Sequence, residues 1–279
     1  MGEAALVWGG PARQTDRMTE ATAVPMASLP GGVDMPMIGF GTWRLRGRSG
    51  RSSLRAALAA GYRHLDTATM YGNEADVGHA VAESGLARTD VFITTKLPSG
   101  RAGQVRATLA ASLRALGTDH VDLWLVHWPP AGRALCSVWR EFLEMREAGR
   151  ARAVGVSNYS LAQIDRLIEA TGQAPAVNQL PWSPARHDPE LLAGHAQRGV
   201  AVEGYSPLKG TNLADPALTD IAAAHGVTPA QVVLRWHLEH GITVIPKSEH
   251  PDRIAANLDL LGFTLTPAEV ERIDGLSRR

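Results

Sequence analysis

Cysteine occurs once in the 279 residues, at Cys136, so no intramolecular disulfide can form and a reducing compartment, the cytoplasm, is expected. Lysine is nearly as scarce: Lys96, Lys209 and Lys247 stand against 25 arginines. Arginine is a flat, forked donor and lysine a compact point charge, so the three exceptions are candidates for work that arginine does badly. Neither sign of charge is in excess. With 28 basic and 28 acidic residues the chain is formally neutral, which excludes nucleic-acid wrapping and polybasic membrane binding. No apolar run approaches the roughly 20 residues that span a bilayer. The short apolar piece Ala4 to Trp8 follows Glu3 and is no secretory signal, so residues 1–25 are expected to be a disordered leader ahead of one domain, 26–279.

Several catalytic signatures are missing as well. The run Gly39-Phe40-Gly41-Thr42-Trp43-Arg44 lacks the third glycine of a dinucleotide-binding loop, no Gly-Lys-Ser/Thr forms a P-loop, and no Gly-x-Ser-x-Gly elbow supports a hydrolase. His237 and His240 are spaced as on one helix face, but no further ligand stands near them in sequence. They are expected at the surface, with no metal.

What is present is an alternation of Val- and Ile-rich runs with stretches of helical period, the pattern of a parallel sheet covered by helices. The strand candidates are 37–42, 64–68, 91–97, 121–127, 151–158, 176–182, 200–206 and 242–248. Helical stretches between them end on Gly61, Gly85, Gly117, Gly149, Gly172 and Gly199, the residue that best tolerates the left-handed turn closing a helix. Eight such repeats, with no linker or composition shift, predict a single α/β domain, a (β/α)8 TIM barrel. The stretch before the first run turns at Gly31-Gly32 and predicts a β-hairpin at the barrel floor.

Strand ends meet on one rim of such a barrel, and chemistry is built there. The second run ends in Asp66, the third carries Lys96 and the fourth closes on His127, with Tyr71 in the loop after Asp66. Singly, each has an ordinary explanation as a cap, a hydrogen-bonded side chain or a packed ring. Together they suit protonation of a carbonyl oxygen. A phenol holds its proton near neutrality, and an adjacent ammonium is expected to lower its pKa and make Tyr71 a general acid. Asp66 would neutralise and aim Lys96, and His127 would donate to the substrate oxygen.

The motifs GFGTW (39–43), GYRHLDTATMYGNE (61–74), TTKL (94–97), LVHWP (125–129), GVSNYS (155–160), NQ (178–179), YSPL (205–208), IPKS (245–248) and RIAANL (253–258) follow one another in the order seen in aldo-keto reductases, a family that the chain resembles from about Pro25 onward. The resemblance implies an NADPH-dependent reductase of small aldehydes and ketones, with Asp66, Tyr71, Lys96 and His127 catalytic. It implies that Ser157, Asn158 and Gln179 hold the nicotinamide carboxamide, that Tyr205 stacks on the ring, and that Gly41, Thr42 and Asp66 also border the cofactor. Ser206 and Leu208 would line the pyrophosphate path. Lys247, Ser248, Arg253 and Asn257 would grip the 2′-phosphate, favouring NADP(H). Trp43, Tyr71, His127 and Trp128 would line an open substrate pocket. Two departures stand out: Ala256 where relatives often have Glu, and Leu180-Pro181-Trp182 where many have Glu-x-His-Pro. The likeness is nearest to short bacterial members, including 2,5-diketo-D-gluconate reductases. A monomer is expected. The alternatives are a nicotinamide-binding regulatory subunit, as the potassium-channel β subunits that resemble this family, or an enzyme working mainly as an alcohol dehydrogenase.

Overall fold

The computed structural model describes residues 24–132 and 134–278. The expected leader, residues 1–25, lies almost wholly outside them. Two antiparallel strands come first, β1 (Met26–Leu29) and β2 (Val33–Pro36), joined through Gly31 and Gly32 at φ 85° and 72°. These angles lie in the left-handed region, open to glycine at no steric cost.

The eight-stranded parallel sheet follows: β3 (Phe40–Gly41), β4 (His64–Asp66), β5 (Phe92–Leu97), β6 (Val121–Val126), β7 (Ala151–Ser157), β8 (Val177–Pro181), β9 (Ala201–Tyr205) and β10 (Thr243–Val244). Each strand pairs with its sequence neighbour. Hydrogen bonds from Gly39 N to Val244 O (2.8 Å), Val244 N to Met37 O (2.9 Å) and Gly41 N to Pro246 O (3.0 Å) join the first strand to the last and close the barrel. A Cβ at Gly41 would sit 2.8 Å from Ile245 O, so this closure needs a residue without one. The first and last strands are shorter than the runs 37–42 and 242–248 because much of their pairing is irregular.

Helices α1 (Gly47–Ala60), α2 (Glu74–Glu83), α3 (Val105–Leu116), α4 (Ala134–Glu147), α5 (Leu161–Thr171), α6 (Pro189–Gln197), α7 (Pro216–His225), α8 (Pro229–Glu239), α9 (Pro251–Leu258) and α10 (Pro267–Asp274) cover the outside. The six glycines expected at helix ends all have positive φ. Ser160, Thr228 and Thr266 start α5, α8 and α10 with reciprocal capping boxes, each worth about 1 kcal/mol. No helix among the described residues is long and apolar enough to cross a membrane.

Strand alternation separates two cores. On β6, Trp124 faces outward and stacks on Phe142 of α4 at 3.8 Å, whereas Leu123 and Leu125 join an inner cluster with Phe92, Ala153 and Val177. Leu29, Val33 and Met35 of the hairpin belong to that inner cluster, so the hairpin closes the end of the barrel where the strands begin. The opposite end holds polar side chains.

Candidate active site

Strands β4, β5 and β6 are neighbours, and the side chains at their ends are brought together. Lys96, fully buried, donates from Nζ to Asp66 Oδ1 and Oδ2 at 2.6 and 2.7 Å and to Thr67 O at 2.9 Å. Two carboxylate oxygens and one carbonyl thus hold the ammonium in place. Burial opposes its charge, but the Asp66 carboxylate, by its charge and its hydrogen bonds, outweighs that and holds the ammonium above the ordinary lysine range.

Tyr71 reaches the same place because its loop is tied down. Thr67 Oγ1 donates to Asn73 Oδ1 (2.7 Å), Asn73 Nδ2 donates to the carbonyls of Thr42 and Leu45 (both 2.9 Å), and Thr69 Oγ1 donates to Lys96 O (2.9 Å). Gly72, at φ 65°, ends the turn. The Tyr71 ring lies edge-on to His127 with centroids 5.8 Å apart, and Lys96 Nζ is 5.2 Å from the phenol ring centre. One expectation is corrected here. Burial raises the phenol pKa more than the charge and hydrogen bond of Lys96 lower it, so the net shift is upward. Lys96 therefore limits a rise instead of producing a fall. His127 is lowered to about 4, first by burial and then by the Lys96 cation, so its imidazole is neutral near pH 7.

Deeper in the barrel, Gln179 meets two groups that the sequence analysis does not single out, Glu203 and, beyond it, His64. Gln179 Nε2 donates to Asp66 Oδ2 (2.8 Å) and to Glu203 Oε2 (2.7 Å), so both of its hydrogens are used. Gln179 and Glu203 are partners in the β8–β9 register. Glu203 and His64 are both fully buried. Their sequence signal is a charged or polar residue inside an otherwise apolar strand run, because such residues are rarely buried without a partner.

The remaining site candidates divide by location. Ser157 Oγ donates to Gln179 O (2.9 Å), while Asn158, at φ 63°, donates to His127 O (3.1 Å) and accepts from Tyr205 Oη (2.9 Å). Ser157, Asn158, Gln179 and Tyr205 thus form one connected group. Thr42 is buried between Asp66 O, which accepts from its N–H, and Asn73. Ser206, at φ 54°, is exposed and Leu208 half-buried. Lys247 is exposed and donates to Glu249 Oε1 (2.6 Å), with Ser248 and Asn257 buried nearby and Arg253 exposed on α9. Glu249 is a competitor for Lys247 that the sequence reading omits. Trp43 and Trp128 are about half exposed, and so is Met70 beside Tyr71, three large apolar surfaces in the loops after β3, β4 and β6. Lys209 is exposed.

The surface assignment of His237 and His240 is overturned. His237 is fully buried, its ring nitrogens 2.8 Å from Val233 O and 3.3 Å from Trp182 O, because α8 packs that face on Gly204 of the barrel. His240 is half-buried and donates to Asp274 Oδ1 (2.8 Å), which also accepts from Trp236 Nε1 (2.7 Å), with His187 Nε2 3.6 Å away. The cluster ties α10 to α8, and it brings His187 and Asp274 to His240, with one ligand atom from each within 4.8 Å of the others, where the sequence reading expects no further ligand. Burial lowers His237 to about 4, whereas unfolded histidine titrates near 6.5. Between those values the unfolded chain holds the extra proton, so this residue's contribution costs stability on the order of 3 kcal/mol as pH falls from 6.5 to 4. Glu203, raised to about 8, acts in the opposite sense, gaining stability as pH falls from 8 towards its unfolded value. Urea midpoints from pH 7 to 4 should therefore fall less steeply in His237→Gln than in the wild type; identical slopes would refute this account.

Comparison with known proteins shows the family and the fold. The family model described as the aldo/keto reductase family matches residues 37–278. An aldo-keto reductase of Mycolicibacterium smegmatis is 44% identical over 90% of this chain and 93% of its own, and 2,5-diketo-D-gluconic acid reductase B of a Corynebacterium species is 42% identical over 91% and 94%. The crystal structure of a Bombyx mori aldo-keto reductase in complex with NADP superposes with a TM-score of 0.85 at 34% identity, covering 92% of this chain and 94% of that one. Fold, the order of the rim residues and full-length kinship together place the chain in the aldo/keto reductase family.

Proposed function

We propose that the protein reduces aldehydes and ketones to alcohols with NADPH, using Tyr71 as general acid. Membership of the family supports carbonyl reduction in general. The observation that carries the finer reading is the gathering of a phenol, a buried Lys96–Asp66 pair and a neutral imidazole at the ends of three adjacent strands.

The residues present fit a nicotinamide dinucleotide. Among the described residues nothing donates to Gln179 Oε1, which is left to accept from a carboxamide, and Ser157 and Asn158 are linked to the same spot. Tyr205 supplies an aromatic face beside them. Gly41, Thr42 and Asp66 border the site, and Ser206 and Leu208 would follow the pyrophosphate. Lys247, Ser248, Arg253 and Asn257 would hold the 2′-phosphate, which must displace Glu249 from Lys247. NADPH, when bound, supplies the hydride that reduces the carbonyl carbon. Tyr71 gives its proton to the oxygen as negative charge develops there, and Lys96 stabilises the phenolate left behind. Asp66 keeps Lys96 charged and aimed. Neutral His127 donates an N–H to the same oxygen, while Trp43, Trp128 and the Tyr71 ring offer apolar walls to the rest of the substrate.

Purified protein should oxidise NADPH in the presence of a panel of aromatic aldehydes and dicarbonyls; no turnover above a Tyr71→Phe control removes the proposal. The cofactor preference has its own test. Fluorescence titration should give tighter binding of NADPH than NADH, and Lys247→Ala with Arg253→Ala should reduce that preference by roughly tenfold to a hundredfold, the value of one or two charged hydrogen bonds. Equal Kd values for the two cofactors in the wild type contradict the assignment.

A further inference from the structure

Glu203 is a full carboxyl group sealed inside the barrel, and the catalytic scheme above does not use it. Its two oxygens face different neighbours. Oε2 accepts from Gln179 Nε2 at 2.7 Å, while Oε1 has no hydrogen-bond partner and lies 3.6 Å from His64 Nε2. The state of His64 follows from its other nitrogen. Nδ1 faces the Pro36 carbonyl at 3.1 Å, an acceptor only, so the proton of a neutral ring sits on Nδ1 and Nε2 presents a lone pair. Thr94 Oγ1 approaches that lone pair at 3.0 Å and Glu203 Oε1 approaches it from β9.

An ionised Glu203 would set a negative oxygen near this lone pair, with the Asp66 carboxylate on the far side of Gln179. A protonated Glu203 removes that charge: Oε2 still accepts from Gln179 Nε2, and Oε1 stays 3.6 Å from His64 Nε2, a nitrogen that Thr94 Oγ1 already meets at 3.0 Å. The charged and titratable groups around it are His64 and Asp66 on β4 and Lys96 on β5; β8 and β10 contribute only the neutral Gln179 and Thr243. Burial moves both His64 and Glu203 toward their uncharged forms, His64 downward and Glu203 up to about 8.

We propose that Glu203 is a positioning residue that acts as a neutral acid, fixing the Gln179 amide so that Nε2 spans Glu203 and Asp66 and Oε1 alone is offered to the nicotinamide carboxamide. A flipped amide would set its oxygen against the Asp66 carboxylate, which can only accept. The same bridge ties cofactor orientation to Asp66, and through Asp66 to Lys96, so the hydride side and the proton side of the site share one support. This rests on the reading that Gln179 meets a nicotinamide.

The test compares Glu203→Gln and Glu203→Leu in the full chain with the wild type. A glutamine reproduces the uncharged side chain, its carbonyl oxygen accepting from Gln179, so NADPH Kd should stay within about twofold of the wild type. Leucine leaves one Gln179 hydrogen without an acceptor and the amide free to turn, so NADPH Kd should rise roughly tenfold, the order expected for a stranded buried donor, with a smaller change in kcat. In the wild type, NADPH affinity should weaken as pH rises past the Glu203 titration, a limb absent from Glu203→Gln. Infrared spectra should carry a protonated-carboxyl stretch at pH 7 that disappears in Glu203→Gln even without cofactor. If the stretch is missing, or Glu203→Leu binds NADPH as the wild type does, Glu203 does not position the site, while the reductase reading stands. If the wild type binds no nicotinamide at all, both readings fall. Should Glu203→Leu not fold, the pH limb and the infrared band still decide.

Discussion

Tyr71→Phe is expected to lower kcat for NADPH-dependent reduction of an aromatic aldehyde by about two to four orders of magnitude, the range contributed by a positioned general acid. The substitution removes one oxygen and keeps the ring. The loop that carries Tyr71 is held by Thr67, Thr69 and Asn73, none of which uses the phenol oxygen, and the edge contact with His127 involves the ring alone. Thermal stability and NADPH Kd should therefore change little, separating lost chemistry from lost structure. The upward net shift of the phenol matters here: Tyr71 enters the reaction fully protonated at neutral pH, as an acid must. A Tyr71→Phe enzyme retaining more than a tenth of wild-type kcat would sink the assignment, and the proton would have to come from His127 or solvent.

Lys96→Met should be the most damaging change to stability in the site, by about 3–5 kcal/mol, because it strands the Asp66 carboxylate in the barrel. In the native protein that carboxylate is 2% exposed and accepts from Lys96 on both oxygens, with Gln179 as its remaining side-chain donor. One amide cannot replace an ammonium there. Urea denaturation gives the loss directly. The companion measurement is Lys96→Met with Asp66→Leu, which removes both charges and should recover much of it, since replacing a buried pair with apolar side chains is often neutral. A single variant within about 1 kcal/mol of the wild type would mean that water reaches Asp66 far more freely than its burial implies. Lys96→Arg is expected to fail as well, because the forked guanidinium does not fit a cage of two carboxylate oxygens and one carbonyl.

The scarcity of lysine therefore acquires a partial physical account. Lys96 occupies a place that only a compact ammonium fits, Lys247 has an acidic neighbour and an exposed end, and Lys209 is simply exposed.

Much of the barrel is legible in the chain itself. Eight apolar runs, helix-ending glycines and the Gly31-Gly32 turn report local backbone preferences, and those survive folding almost unchanged. The edges of β3 and β10 are less legible because their pairing closes the sheet between residues some 200 positions apart, as in the bond from Gly39 to Val244. His237 shows the same limit. Its spacing from His240 is a helical fact, but which face of α8 meets the barrel is set by packing on Gly204, and that buries one histidine and leaves the other beside Asp274.

By itself, then, the sequence determined the kind of fold, the family and the set of rim residues, since strand period, glycine conformation and motif order are local and additive. Only the tertiary structure decided which polar side chains share the interior. Glu203, Gln179, Asp66 and His64 come from three strands spread over some 140 residues, and their protonation and hydrogen-bond direction depend on one another. Such mutual dependence exists only once the barrel has closed around them and excluded water.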